Sequence, residues 1–331
     1  MAFLYDRAVP IGRRLRKLVD VLPLPSLRVQ RIVAAAVVLT QGGIAVTGAI
    51  VRVTASGLGC PTWPQCFPGS FTPVAVAEVP FVHQAVEFTN RLLTFLVVLT
   101  AALAVLAVTR ARRRREVLIY AWLMPASTVA QAVIGGITVL TGLLWWTVAI
   151  HLLVSMTMVW LAVLLYVKVG EPDDGVPQRF VPKPLRQLTF LSGLALAMVL
   201  IAGTMVTGAG PHAGDKSAAA PVPRLELDIV TLVYRHSALV TGYLALLIGL
   251  AFGLLAVRAP RPVTLRVVAL LILVCAQGMV GTVQFFTGVP AALVAVHVAG
   301  AAVCTAATAA LWASMRPRST VEGTEPEPVE P

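Results

Sequence analysis

Apolar runs of about twenty residues, each long enough as a helix to cross a hydrocarbon layer roughly 30 Å thick, return again and again along this chain. Eight are counted, near residues 31–53, 84–108, 117–141, 146–168, 187–209, 229–257, 265–287 and 291–313. Short polar stretches separate them. The pattern predicts an all-α polytopic membrane protein.

Composition agrees. The 331 residues are 58% hydrophobic and only 12% charged, whereas a soluble domain carries about 25% charged residues. A net charge of +11 would suit nucleic acid, but the placement of the basic residues argues against it. They sit in "RRLRK" before the first span, "RARRRR" after the second and Lys168 to Arg186 after the fourth. Arg258, Arg261 and Arg266 follow the sixth span, and Arg316 and Arg318 the eighth. Basic residues thus mark alternate loops, the positive-inside pattern, which puts both termini in the cytoplasm. The partner implied is the bilayer, with some attraction to anionic lipid. The first thirty residues are too polar for a signal peptide and lack a small-residue cleavage site.

The two halves match. "AQAVIGGITVLTGLLWWTVAIH" ends at His151 and "AQGMVGTVQFFTGVPAALVAVH" ends at His297, 146 residues later and without a gap. "VTGAIVR" and "VTGAGPH" match at an offset of 160, so the first outer loop is longer than its counterpart. A duplication of four spans follows. An even number of spans makes the repeats parallel, hence two tandem pseudo-symmetric four-helix bundles side by side. The expected parts are a cytoplasmic segment 1–30, a first bundle 31–168 with outer loop 54–83, and a cytoplasmic linker 169–186. A second bundle 187–313 and a Pro- and Glu-rich disordered cytoplasmic tail 314–331 complete the chain.

Polar residues break the apolar pattern at one level. His83, His151, His236 and His297 fall in the outer parts of even-numbered spans, and His212 in an outer loop. The offset of 146 pairs His151 with His297 and carries His236 onto Asn90. Two histidines on facing helices of a bundle can hold a haem axially; each can equally be a packing residue hydrogen-bonded across helices. Zinc suits the pair less, since no carboxylate or thiolate completes four ligands. In the first half Asn90 is a poor iron ligand. Either His83, about two turns outward, replaces it, or His151 ligates alone, or neither binds the iron permanently. Glu87, on the face of His83 and Asn90, has Val233 as its counterpart, so only the first half holds an intramembrane carboxylate. Its simplest task is an ion pair with Arg91, one turn on.

The first outer loop reads "TASGLGCPTWPQCFPGSF". Cys60 and Cys66 lie close in a compact, Pro-rich turn on the oxidising side, where a disulfide can form as a staple or as an exchange-active pair. Cys275 and Cys304, inside spans, read as small packing residues.

Together, "TGAIVRVTASGLGCPTWPQC", "VEFTNRLL", "AQAVIGGITVLTG" with His151, and the pair in "YRHSAL" and "VAVH" resemble the haem A synthase family across all eight spans. Members oxidise the C8 methyl of haem O to a formyl group, giving the haem A of aa3-type terminal oxidases, and the expected location of this chain is a bacterial plasma membrane. The resemblance implies a bis-histidine haem b held by His236 and His297, and haem O as substrate in the first bundle with His151 axial. It also implies a functional Glu87 and a cysteine pair at Cys60 and Cys66. A carboxylate beside the methyl can stabilise a developing positive charge or deprotonate the attacking water. Two hydroxylations then give a geminal diol that loses water. Many members read E-x-x-H-R where this chain reads "EFTNR", so His83 or a single histidine serves the substrate iron. Arg52 and Arg91 are candidates for pairing with propionates, from charge and depth. The enzyme producing haem O is an expected neighbour; the electron acceptor and any homo-oligomer are not specified. The competing readings are a non-catalytic di-haem b-type electron carrier and a haem transporter or chaperone.

Overall fold

The computed structural model describes residues 19–76, 79–215 and 221–320. The expectations for residues 1–18 and for the tail beyond residue 320 lie outside them. Among the described residues, eight helices are long and apolar enough to cross a membrane. They are α1 (Leu27–Val53), α2 (Phe81–Arg110), α3 (Arg115–Leu140), α4 (Trp145–Gly170), α5 (Lys183–Ala209), α6 (Ile229–Ala256), α7 (Arg261–Phe286) and α8 (Ala291–Ser314). Most overrun the apolar runs by a few residues, because a helix satisfies its own backbone wherever the hydrocarbon ends.

Local chemistry sets the starts. Ser26 caps α1 by accepting from the Val29 amide, and Asp228 caps α6 by accepting from the Thr231 amide at 2.7 Å. Prolines precede or open α5 and α7, where a missing N–H costs nothing. Tight left-handed turns set the reversals. Arg112 and Arg258 have φ of 50°, and Leu143 and Val289 have φ of 61° and 59°, a conformation uncommon outside glycine. Gly142 and Gly288 precede the latter pair, also with positive φ. In each turn the residue after or at the left-handed position donates back to the last helical turn, as in Leu143 to Thr138 and Val289 to Gln284. Each of these turn pairs is separated by the 146-residue offset.

The first four helices pack as a ring, α1–α2–α3–α4–α1, and the last four likewise, α5–α6–α7–α8–α5. The rings meet where α1 and α4 lie against α8 and α4 against α5. The end that carries the Cys60–Cys66 loop is termed the outer end. The packed apolar cores occupy the opposite, inner halves: Val37, Ala101, Leu118, Met124 and Leu165 in the first ring, and Leu247, Leu250, Leu254, Leu270 and Leu311 in the second. Outward-facing Leu39, Phe95, Phe252 and Ile272 are exposed, as lipid-facing side chains should be.

Basic residues at the inner end make specific contacts. Buried Arg113 donates to Gln30 Oε1, to the Val169 carbonyl at 2.8 Å and to the Glu171 carbonyl at 2.7 Å, and its Nε stands 2.8 Å from Asp173. Arg114 pairs with Glu171 at 2.7 Å. These contacts lock the α2–α3 turn to α1 and to the start of the linker. Residues 314–320 of the expected disordered tail are ordered: β2 (Arg318–Ser319) pairs antiparallel with β1 (Val176–Pro177) of the linker. Backbone pairing with a Pro-rich linker was not visible as apolar periodicity.

Candidate functional site at the outer ends of the helices

The described part of the loop after α1, residues 54–76, folds back onto α2. Cys60 and Cys66 are disulfide-bonded, and both are fully buried. Beneath them lies Glu87, 5% exposed. Its Oε2 accepts from the Cys60 amide at 2.7 Å, and its Oε1 accepts from Arg91 Nη2 at 2.7 Å and Nε at 3.1 Å. Arg91 also donates to the carbonyls of Cys60 (2.8 Å), Thr62 (3.1 Å) and Gln65 (3.2 Å). Charge-assisted bonds of this kind are the strong ones. The carboxylate and guanidinium therefore act as one bracket that holds the disulfide turn on the helix. The expected ion pair is present, and Arg91, read from sequence as a propionate partner, has Nε and both terminal nitrogens committed to Glu87 and the loop.

Three more sequence candidates lie around this bracket. His83 Nδ1 is 3.0 Å from Ser56 Oγ, which fastens the start of α2 to the loop. Asn90 Oδ1 accepts from Thr47 Oγ1 of α1 at 2.6 Å. Arg52 donates to the Thr207 carbonyl at the end of α5, at 3.1 Å, and so ties the two rings together. Arg52 also lines a cavity of about 240 Å³ with His212, Asp215 and Arg224.

Sequence reasoning missed Trp63. The loop delivers its ring onto α3 at Gly136, where a Cβ would stand 2.7 Å from Trp63 Cδ2. The signal was present in the repeat, since Gly136 is followed 146 residues later by Thr282. Gly136→Leu should displace Trp63 and shift its fluorescence towards that of a solvated indole. The accompanying loss of about 1–3 kcal/mol for overpacking should lower the melting temperature in detergent. An unchanged emission spectrum would separate the loop from α3.

The neighbouring glycine serves a histidine. A Cβ at Gly135 would stand 3.3 Å from His151 Cε1, and one at Gly281 would stand 3.0 Å from His297 Cε1. Gln131 donates to the His151 carbonyl and Gln277 to the His297 carbonyl, so the same cradle recurs at both positions. His151 Nδ1 and His297 Nδ1 are buried with no hydrogen-bond partner among the described residues. On α6, His236 faces Gly203, whose Cβ would stand 3.3 Å from its Cε1. His236 Nδ1 is 3.1 Å from the Val199 carbonyl. A carbonyl only accepts, so Nδ1 carries the proton and Nε2 keeps its lone pair, the tautomer a metal ligand needs.

The His236 and His297 rings lie with centroids 6.4 Å apart and planes at 64°. Metal–imidazole bonds of about 2 Å put two rings flanking one ion roughly 6 Å apart, centroid to centroid. At that separation His236 and His297 would both be within reach of one iron. Among the described residues no three His, Cys, Asp or Glu side chains converge as a metal site; a porphyrin brings its own four nitrogens, so two imidazoles suffice.

Fold and site define a polytopic all-α membrane protein that gathers its histidines, the buried carboxylate of Glu87 and its disulfide at one end of two helix rings. A family model described as cytochrome oxidase assembly protein, COX15-CtaA, matches residues 31–221, more than half of the chain. The chain belongs to that family. It is similar to the haem A synthase of Lysinibacillus sphaericus (strain C3-41), 34% identical over 168 residues that cover 48% of this chain and 52% of that protein. It is also similar to the haem A synthases of Geobacillus thermodenitrificans and Geobacillus kaustophilus (strain HTA426). These are 34% and 35% identical over 98 residues, 29% of each chain. The matched stretches span about half or less of these curated relatives. His236 and His297 lie beyond the stretch that the family model matches.

Proposed function

We propose that this chain is a haem A synthase, an enzyme that oxidises the C8 methyl of haem O to a formyl group. Haem O, a macrocycle with an apolar tail, suits a pocket opened in a membrane bundle by glycine. In this reading the first ring would receive haem O at His151, and His236 and His297 of the second ring would hold haem b. Bound there, haem b would supply one-electron redox chemistry. The chain's own residues supply position and charge: Gly135, Gly203 and Gly281 clear space for the imidazoles, Val199 fixes one tautomer, and Gln131 and Gln277 fix the carbonyls behind two of them.

The observation that carries the reading is the held carboxylate. Glu87 lies in the first ring only, is fixed by a backbone amide and a guanidinium, and stands one turn or less from Asn90 on α2. A carboxylate kept in place before the reaction can stabilise positive charge at a methyl carbon losing hydride equivalents, or take a proton from the water that attacks it. Two such hydroxylations release four protons and four electrons in all and end, after loss of water, at the aldehyde. The electrons leave to an acceptor outside the chain.

Two four-helix bundles derived by duplication are part of the reading, supported by the recurrent left-handed turns and histidine cradles. So are residence in a bacterial plasma membrane with both termini in the cytoplasm, supported by the basic inner turns, and proximity to the enzyme that makes haem O. Expression of the full chain with a source of haem O, followed by pigment extraction, tests the function. Haem A should accumulate. Haem b alone in the purified protein, with haem O unchanged in the membranes, would favour the electron carrier, which leaves Glu87 no task.

A further inference from the structure

The first ring keeps an open place where the second has an imidazole. Asn90 occupies the position that corresponds to His236, yet its surroundings differ. Opposite His236, the ring fills the space beside Gly203. Gly43 stands 160 residues before Gly203, the offset that aligns α1 with α5, and a Cβ there would meet nothing within 4 Å. Asn90 does not reach into that space, because its Oδ1 is held by Thr47, one turn along α1 from Gly43. The amide nitrogen left over has no lone pair to give a metal.

His83 is poorly placed to stand in. It precedes Asn90 by seven residues, about 10 Å along the helix axis at 1.5 Å per residue. Its ring is engaged with Ser56 of the outer loop. His151, by contrast, sits in the same glycine cradle as His297.

We propose that the first ring ligates the iron of its porphyrin through His151 alone and leaves the opposite axial position open to a small exogenous ligand, beside the Asn90 amide. The class of ligand is a water or hydroxide in the resting protein, and carbon monoxide when the iron is reduced. The inference rests on the reading of the first ring as the haem O pocket, and it makes Asn90 the residue that decides coordination number there. The second ring, closed by two imidazoles, takes no such ligand.

Carbon monoxide difference spectra of the dithionite-reduced, detergent-purified full chain loaded with haem O test this. Wild type should bind carbon monoxide at haem O and not at haem b. His83→Ala and Asn90→Ala should bind it as wild type does, since neither substitution fills the position. Asn90→His should lose carbon monoxide binding and give the low-spin spectrum of a six-coordinate iron. Failure of wild type to bind carbon monoxide while retaining haem O, with binding gained in His83→Ala, would assign the position to His83 and overturn the proposal. A wild-type protein that retains haem b and takes up no haem O would instead overturn the reading of the first ring, and this inference with it.

Discussion

Glu87→Gln should lower haem A formation by at least about a hundredfold, the lower range for a positioned acid–base or charge-stabilising group, while haem O and haem b remain bound. Glutamine keeps the length of the side chain and can still accept from the Cys60 amide, so the loop stays seated. What disappears is the negative charge. Arg91 then sits beside a neutral amide, and its bonds to the Cys60, Thr62 and Gln65 carbonyls continue to hold the turn. Pigment extraction measures the product, and the thermal midpoint in detergent checks the fold. Glu87→Ala is the less informative change, because it also removes the partner of a half-buried guanidinium and loosens the loop. Haem A at wild-type level in Glu87→Gln would reduce Glu87 to a structural bracket.

Loss of haem b is the second large effect expected. In His297→Ala the iron of the second ring would keep only His236, and the imidazole that fills the space beside Gly281 would be gone. Haem b should fall to near background in the purified protein, with the low-spin spectrum lost. His151→Ala should spare haem b and abolish retention of haem O. The contrast matters more than either result, since a general failure of folding would remove both pigments together. Full haem b in His297→Ala would show that the 6.4 Å approach of the two rings is packing alone.

The eight helices were legible because each apolar run is long and the membrane tolerates little else. Their reversals were partly legible: the matched "TG" pairs at Thr141–Gly142 and Thr287–Gly288 mark two of the turns, but nothing in the sequence told that Arg112 and Arg258 would be left-handed. The two glycine–histidine cradles, at Gly135 with His151 and Gly281 with His297, stand at the 146-residue offset visible in the sequence. The loop was not legible. Its fold depends on bonds from one arginine to three carbonyls, and backbone carbonyls leave no trace in a list of residue types. Arg91 was therefore read from charge and depth as a partner for propionates, whereas the structure turns it on Glu87 and the loop. Arg52 was read the same way and is found as a strap from α1 to α5. Trp63 could have been found by asking why "IGG" has a second glycine where the other half has Gly281–Thr282.

The seam between the two rings bears on both histidine sites. His151 stands on α4 and His297 on α8, and these two helices touch. Packed helices have axes about 8–10 Å apart, and each imidazole here turns from the shared seam towards a glycine of its own ring. A substitution that shifts this one helix pair should therefore disturb both histidine cradles at once.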